Sequence, residues 1–125
     1  MISFECFVKS NDIPIYQQIV SFVKRGIVAG EIQQGDELPS RRELSALLVV
    51  NPNTIQKAYR ELEEEHLIVS RAGAKSSINL EEGSVEKLRS QFLRDDFVTT
   101  IQVIKQMGIS KEEAIRMIDD LWEEV

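Results

Sequence analysis

Between Leu38 and Arg60 the chain reads Leu-Pro-Ser-Arg-Arg-Glu-Leu-Ser-Ala-Leu-Leu-Val-Val-Asn-Pro-Asn-Thr-Ile-Gln-Lys-Ala-Tyr-Arg. The polar side chains in this stretch suit binding to a nucleic acid. Arg41 and Arg42 can grip a phosphate or the edge of a guanine, and Asn51, Asn53 and Gln56 can pair with adenine edges. Thr54 and Lys57 add a hydroxyl and a cation within the same turns. No constellation for acid-base or nucleophilic catalysis competes with this one. The single histidine, His66, and the single cysteine, Cys6, are too few to hold a metal, and the carboxylates show no ligand spacing. No serine sits in a nucleophile motif and no glycine-rich loop could cradle a phosphate. An enzyme, a metal and a cofactor are therefore not expected.

These side chains need elements that bring them to one place. Ser40-Arg41-Arg42-Glu43 is a capping box, which predicts a helix over residues 41–48. Asn51 followed by Pro52 is an N-cap and first helical residue, which predicts a second helix to about residue 65. Leu44, Leu48, Val50, Ile55 and Ala58 supply contacts between the two, with Ser45 as the small residue at their closest approach. The pattern is that of a helix-turn-helix, whose second helix enters the DNA major groove. The amino terminus of that helix also favours phosphate through its free N–H groups. Its other end carries Glu61 and Glu63 to Glu65, so only the amino-terminal half is suited to DNA. One position resists the pattern. The turn contains Val49, where a positive φ favours glycine and disfavours a β-branched residue. Either the turn is built differently or it carries strain of about 1–3 kcal/mol.

The surroundings extend the pattern to a winged helix. Ile15, Ile19, Phe22, Val23 and Ile27 recur at helical spacing, which predicts a first helix over residues 14–29 closed by Gly30. Residues 67–71 and 76–80 read as two strands around the loop Ala72-Gly73-Ala74-Lys75, a candidate wing. Residues 1–13 read as a short strand or extended arm, with Cys6 as a buried small hydrophobe. Glu81-Glu82-Gly83 marks a break. Beyond it, a long helix to about residue 107 carries Val85, Leu88, Phe92, Phe97, Ile101 and Ile104. A second capping box at Ser110 opens a last helix with Ile115, Ile118, Leu121, Trp122 and Val125 on one side.

Charge and composition exclude several classes. The 125 residues are 42% hydrophobic and 29% charged, as in ordinary globular proteins. No apolar run approaches the roughly 20 residues that span a bilayer, and the amino terminus is no signal peptide, so a cytoplasmic protein without a membrane partner is expected. The net charge of −6 argues at first against nucleic acid. Its distribution weakens the objection: residues 1–79 hold nine Lys and Arg against ten Asp and Glu, and residues 80–125 six against eleven. A DNA-binding face requires only local positive potential.

From residue 14 to about residue 80 the chain resembles the winged-helix domain of the GntR family of bacterial transcriptional regulators. The resemblance rests on Pro14-Ile15-Tyr16-Gln17-Gln18-Ile19, on Gly35-Asp36-Glu37-Leu38-Pro39-Ser40-Arg41-Arg42-Glu43-Leu44, on Val50-Asn51-Pro52-Asn53-Thr54-Ile55 and on Ala58-Tyr59-Arg60-Glu61-Leu62-Glu63. The Pro-Ile-Tyr opening and the short tail look like its YtrA-like subfamily. The resemblance implies a dimer that reads an inverted-repeat operator and represses. It makes Arg42 the base-contacting arginine, puts Asn51, Asn53, Thr54 and Gln56 at contacting positions, and places Gly73 at the wing tip. Three positions depart from the family: Val49 replaces the turn glycine, His66 the glycine that ends the recognition helix, and Ala72-Gly73-Ala74-Lys75 an arginine-rich wing. Arg71 and Lys75 remain as phosphate contacts. Most members carry a large effector domain, whereas about 45 residues follow the wing here. Two helices cannot enclose a sizeable ligand pocket by themselves, and the residues leave open whether a small-molecule effector exists.

The expected fold is thus α+β and mostly α. An arm (residues 1–13) precedes a winged helix-turn-helix domain (14–80), and a two-helix dimerisation segment (81–125) uses Phe92, Phe97, Ile101, Ile118, Leu121 and Trp122. The expected function is repression through a double-stranded DNA operator bound by a homodimer. The alternative is a winged helix used for protein interaction, with little or no DNA binding.

Overall fold

The computed structural model describes residues 1–73 and 75–125. Ala74, expected in the wing loop, lies outside the described residues. The elements run α1 (Ile15–Val28), α2 (Arg41–Leu48), α3 (Pro52–Glu64), β1 (Ile68–Val69), β2 (Ser77–Ile78), α4 (Ser84–Gln106) and α5 (Lys111–Leu121). They form two compact units, Met1–Leu88 and Arg89–Val125. The first unit reaches into the second turn of α4, where the Leu88 side chain is buried.

In the first unit α3 is central: α1, α2 and β1 all pack on it. Its buried stripe is Ile55, Ala58, Tyr59 and Leu62, one residue per turn plus a neighbour. Ile19, Val23 and Ile27 of α1 and Leu44 and Leu48 of α2 complete this core, joined by Leu38, Leu67, Ile68 and Ile78. A fully buried Ile or Leu side chain contributes about 1.5–3 kcal/mol, so the ten Ile and Leu among these residues fix the relation of the three helices.

The wing is a two-stranded antiparallel ladder with Ile68 opposite Ile78 and Val69 opposite Ser77. It is shorter than the two five-residue strands expected. A third segment completes it: Glu37 bridges Ser77, Leu38 N–H donates to Ser76 O (2.9 Å) and Ile78 N–H to Asp36 O (2.8 Å).

Residues 1–13 form an arm fastened to this unit. Ile2 N–H donates to Glu37 O (2.7 Å), and Phe4 stacks on Phe22 with ring centroids 4.8 Å apart. Ile2 and Phe4 are buried as their alternation predicts, but the chain turns at Glu5 and Cys6. Cys6 is therefore exposed and not the buried hydrophobe expected. The buried Gln18 of α1 latches the arm: its Oε1 accepts from Ser10 N–H (2.8 Å) and its Nε2 donates to Ser10 O and Ile13 O (both 2.7 Å).

The second unit holds most of α4 and all of α5. Ser110 caps α5 as the capping box predicts, its Oγ accepting from Glu113 N–H (3.2 Å). No residue of α5 is buried.

Candidate nucleic-acid interface

Local chemistry sets up each turn of the helix-turn-helix. Ser40 Oγ accepts from Glu43 N–H (3.1 Å), which starts α2 and places Arg41 and Arg42 in its first turn. Ser45 is buried where α2 meets the turn, and its Oγ donates to Val50 O (2.7 Å). The N–H groups of Val49 and Val50 both reach Ser45 O. Val49 itself adopts φ 54° and ψ 54°, the left-handed conformation a glycine would take freely. The turn thus keeps its usual geometry, and of the two possibilities read from the sequence it is the strain of about 1–3 kcal/mol that applies. Asn51 Oδ1 then accepts from Asn53 N–H (2.8 Å), and Pro52 opens α3.

The result is a polar, solvent-open turn at the amino terminus of α3. Asn51 and Asn53 are exposed and Thr54 half-buried. Arg42 is also exposed and makes no hydrogen bond or ion pair among the described residues. Asn51 divides its side chain between capping and any outside contact.

Arg41 is placed differently. It is half-buried, donates from Nε to Gln56 Oε1 and from Nη2 to Glu63 Oε1 (3.1 Å), and lies 5.0 Å from the centroid of the Tyr59 ring. Its guanidinium braces α2 against α3. Gln56, with Oε1 engaged, keeps its amide N–H groups for an outside acceptor. Tyr59 donates its hydroxyl to Pro39 O (2.6 Å). Burial pushes its phenol far above the ordinary value, and the Arg41 charge opposes this only in part.

Lys57 Nζ sits 4.0 Å from the centroid of the Tyr16 ring, so α1 holds the lysine through a cation–π contact. Lys75 of the wing pairs with Glu43 (3.2 Å). The hydrogen bond from Lys75, followed by that from Ser40, holds the Glu43 carboxyl below its usual range. Gly73 has φ +73° at the exposed wing tip, and Arg71 is exposed beside it. A cleft of about 280 Å³ between Pro39, Arg41, Tyr59 and the wing is small for a ligand pocket.

Spacing alone did not reveal the network behind this surface. Glu63 Oε1 also accepts from Ser70 Oγ (2.6 Å), and Ser70 and Ser76 hydroxyls meet at 2.6 Å, so Arg41, Glu63 and the wing base form one connected set. Glu65 pairs with Lys24 (2.7 Å). Two of the glutamates read as repelling DNA are thereby bound within the fold.

In the second unit the side chains expected at a dimer interface are largely open. Phe97 is 51% exposed, Ile101 47%, Ile118 45%, Leu121 41% and Trp122 73%, while Phe92 is half-buried.

A capped helix pair joined by a left-handed turn, with a β-hairpin following at once, defines a winged helix-turn-helix of the DNA-binding regulator class. Comparison with known proteins agrees. The bacterial regulatory proteins of the gntR family match residues 15–76. The chain is 34% identical over 105 residues to the HTH-type transcriptional regulator YhcF of Bacillus subtilis, covering 84% of this chain and 87% of that one. It is 39% identical over 87 residues to the HTH-type transcriptional repressor YtrA of the same bacterium, covering 65% and 67%. It superposes on a GntR family transcriptional regulator from Listeria monocytogenes with a TM-score of 0.80 at 35% identity, over 90% of this chain and 98% of that one. The chain belongs to the GntR family: it is a DNA-binding transcriptional regulator, similar to YtrA. Among the described residues no helix is long and apolar enough to cross a membrane.

Proposed function

We propose that this regulator acts in the cytoplasm as a homodimer that binds an inverted-repeat operator and represses transcription from it. The observation that carries the reading is the solvent-open amino-terminal turn of α3, where exposed Asn51 and Asn53 and half-buried Thr54 stand with Arg42, unpaired among the described residues. Arg42, Asn53 and Thr54 contact base edges; Asn51, Gln56 and Lys57 contact the backbone or the flanking bases. Arg71, Gly73 and Lys75 approach phosphates, and Arg41 positions the set. Repression follows the similar YtrA, named a repressor. The homodimer is supported by the open apolar residues of α4 and α5, since an aromatic such as Trp122 left in water forfeits a large burial energy.

The test is a duplex-DNA shift with the full chain, repeated across a salt series, with the mass in solution from light scattering. The expected outcome is a dimer at micromolar concentration whose binding constant falls linearly with salt on logarithmic axes. A dimer that shifts no duplex returns the chain to protein interaction. A monomer overturns the two-fold operator.

A further inference from the structure

The left-handed turn at Val49 has a support that lies 39 residues before Leu48 in the chain. Lys9 Nζ donates to Leu48 O at 2.7 Å. That carbonyl belongs to the peptide joining Leu48 to Val49, so holding it fixes the plane whose rotation is the φ of Val49. The two bonds to Ser45 O fix the N–H side of the turn, and Ser45 Oγ fixes the carbonyl of Val50. Without Lys9 the Leu48 carbonyl is one of the groups that a helix end leaves unpaired.

Lys9 is also held at its root. On one side Phe7 packs edge-on against Phe22, ring centroids 5.5 Å apart. On the other, Ser10 is bound through both its N–H and its carbonyl by Gln18. A lysine on a fixed backbone loses less freedom in forming its bond than one on a free arm. A glycine at position 49 would need no such support. A β-branched residue there does, because few residues tolerate φ near +54°.

We propose that Lys9 is a positioning residue: from the latched arm it holds the Leu48–Val49 peptide in the left-handed turn, and thereby sets where the amino terminus of α3 is presented. The second half of this statement rests on the DNA-binding reading above; the first half does not.

The test is a double-mutant cycle on the full chain with Lys9→Met, Val49→Gly and both together. In thermal unfolding, Lys9→Met lowers the midpoint, and lowers it clearly less when residue 49 is glycine. Lys9→Arg, which keeps a donor, restores most of the loss. Equal lowering in the two backgrounds overturns the proposal, because the bond then has no connection to the turn. For DNA, the probe is the duplex that the wild-type chain enriches from a randomised pool, with a scrambled duplex beside it. Lys9→Met weakens the enriched duplex by about fivefold and Val49→Gly recovers it. The scrambled duplex and the salt slope stay unchanged. A slope reduced by about one ion would make Lys9 a phosphate ligand and overturn the positioning role. If the wild type enriches no duplex, the operator reading fails, and the unfolding cycle alone decides whether Lys9 holds the turn.

Discussion

Arg41 and Arg42 are neighbours in sequence with opposite situations in the fold. Arg41 is spent on Gln56, Glu63 and the Tyr59 ring, whereas Arg42 is free among the described residues. Arg41→Ala is therefore expected to lower stability by about 1–2 kcal/mol in denaturant titration, and to weaken DNA binding by loosening Gln56. Arg42→Ala should leave stability unchanged and cost about 1–3 kcal/mol in specific binding, with discrimination lost at one base pair per half-site. An equal loss on all duplexes would make Arg42 a phosphate contact only. The two left-handed residues differ in the same instructive way. Val49 (φ 54°) and His66 (φ 60°) both adopt the left-handed conformation that glycine takes freely. Val is a strained occupant, while His is several-fold enriched in this conformation. Glycine also costs about 0.5–1 kcal/mol of unfolded-state entropy. Val49→Gly should thus gain about 1 kcal/mol and His66→Gly little or nothing, read from paired denaturant midpoints.

At the scale of elements the wing is a short hairpin, with Ile68 opposite Ile78 and Val69 opposite Ser77. Its tip presents Gly73 between positions that carry alanine, and Lys75 is paired with Glu43. Ala72→Arg should steepen the salt dependence of DNA binding by about one ion per protomer; an unchanged slope would show that the hairpin stays clear of the duplex. The Glu43–Lys75 pair also has a pH signature. Because the folded-state pKa of Glu43 lies below its unfolded value, its stabilising effect is present above that unfolded value and disappears as pH falls through the folded one. Unfolding midpoints measured from about pH 6 to pH 3 should fall less steeply for Glu43→Gln than for the wild type. A parallel pair of curves would show that the ion pair does not persist in solution. The helices that carry these groups were legible because their ends are written locally: Ser40, Asn51 and Ser110 each cap the helix that they predict. The strands were less so. Their pairing partner includes residues 36–38, across a separation that no local pattern encodes.

For the whole molecule the decisive surface is the apolar one on α4 and α5. The residues chosen for it from helical spacing remain between 41% and 73% exposed, Phe92 excepted, so the single chain does not bury them. A two-fold dimer formed through them would present two recognition helices, and its operator would be a palindrome with half-sites about 10 bp apart or a multiple of that. Truncation after Leu88, which keeps that buried side chain with the first unit, should leave a folded winged helix that is monomeric by light scattering. Its operator affinity should fall steeply, since the second half-site would no longer be bound at an effective concentration of millimolar order. Undiminished affinity in the truncated chain would remove the dimer from the mechanism.

Read alone, the sequence determined the periodic and the capped: which segments are helices, which faces are apolar, and that Arg42, Asn51 and Asn53 stand at the amino-terminal ends of two capped helices. These follow from contacts three or four residues apart, which spacing records directly. Only the tertiary structure decided which polar residues face outward and which are consumed within. It withdrew Arg41 and Glu63 into a brace and exposed Cys6 at a turn. It bound Gln18 to the arm and brought Lys9 to the carbonyl of Leu48. Each of these depends on partners far apart in the chain, and a side chain of given type carries no mark of the partner that folding brings to it.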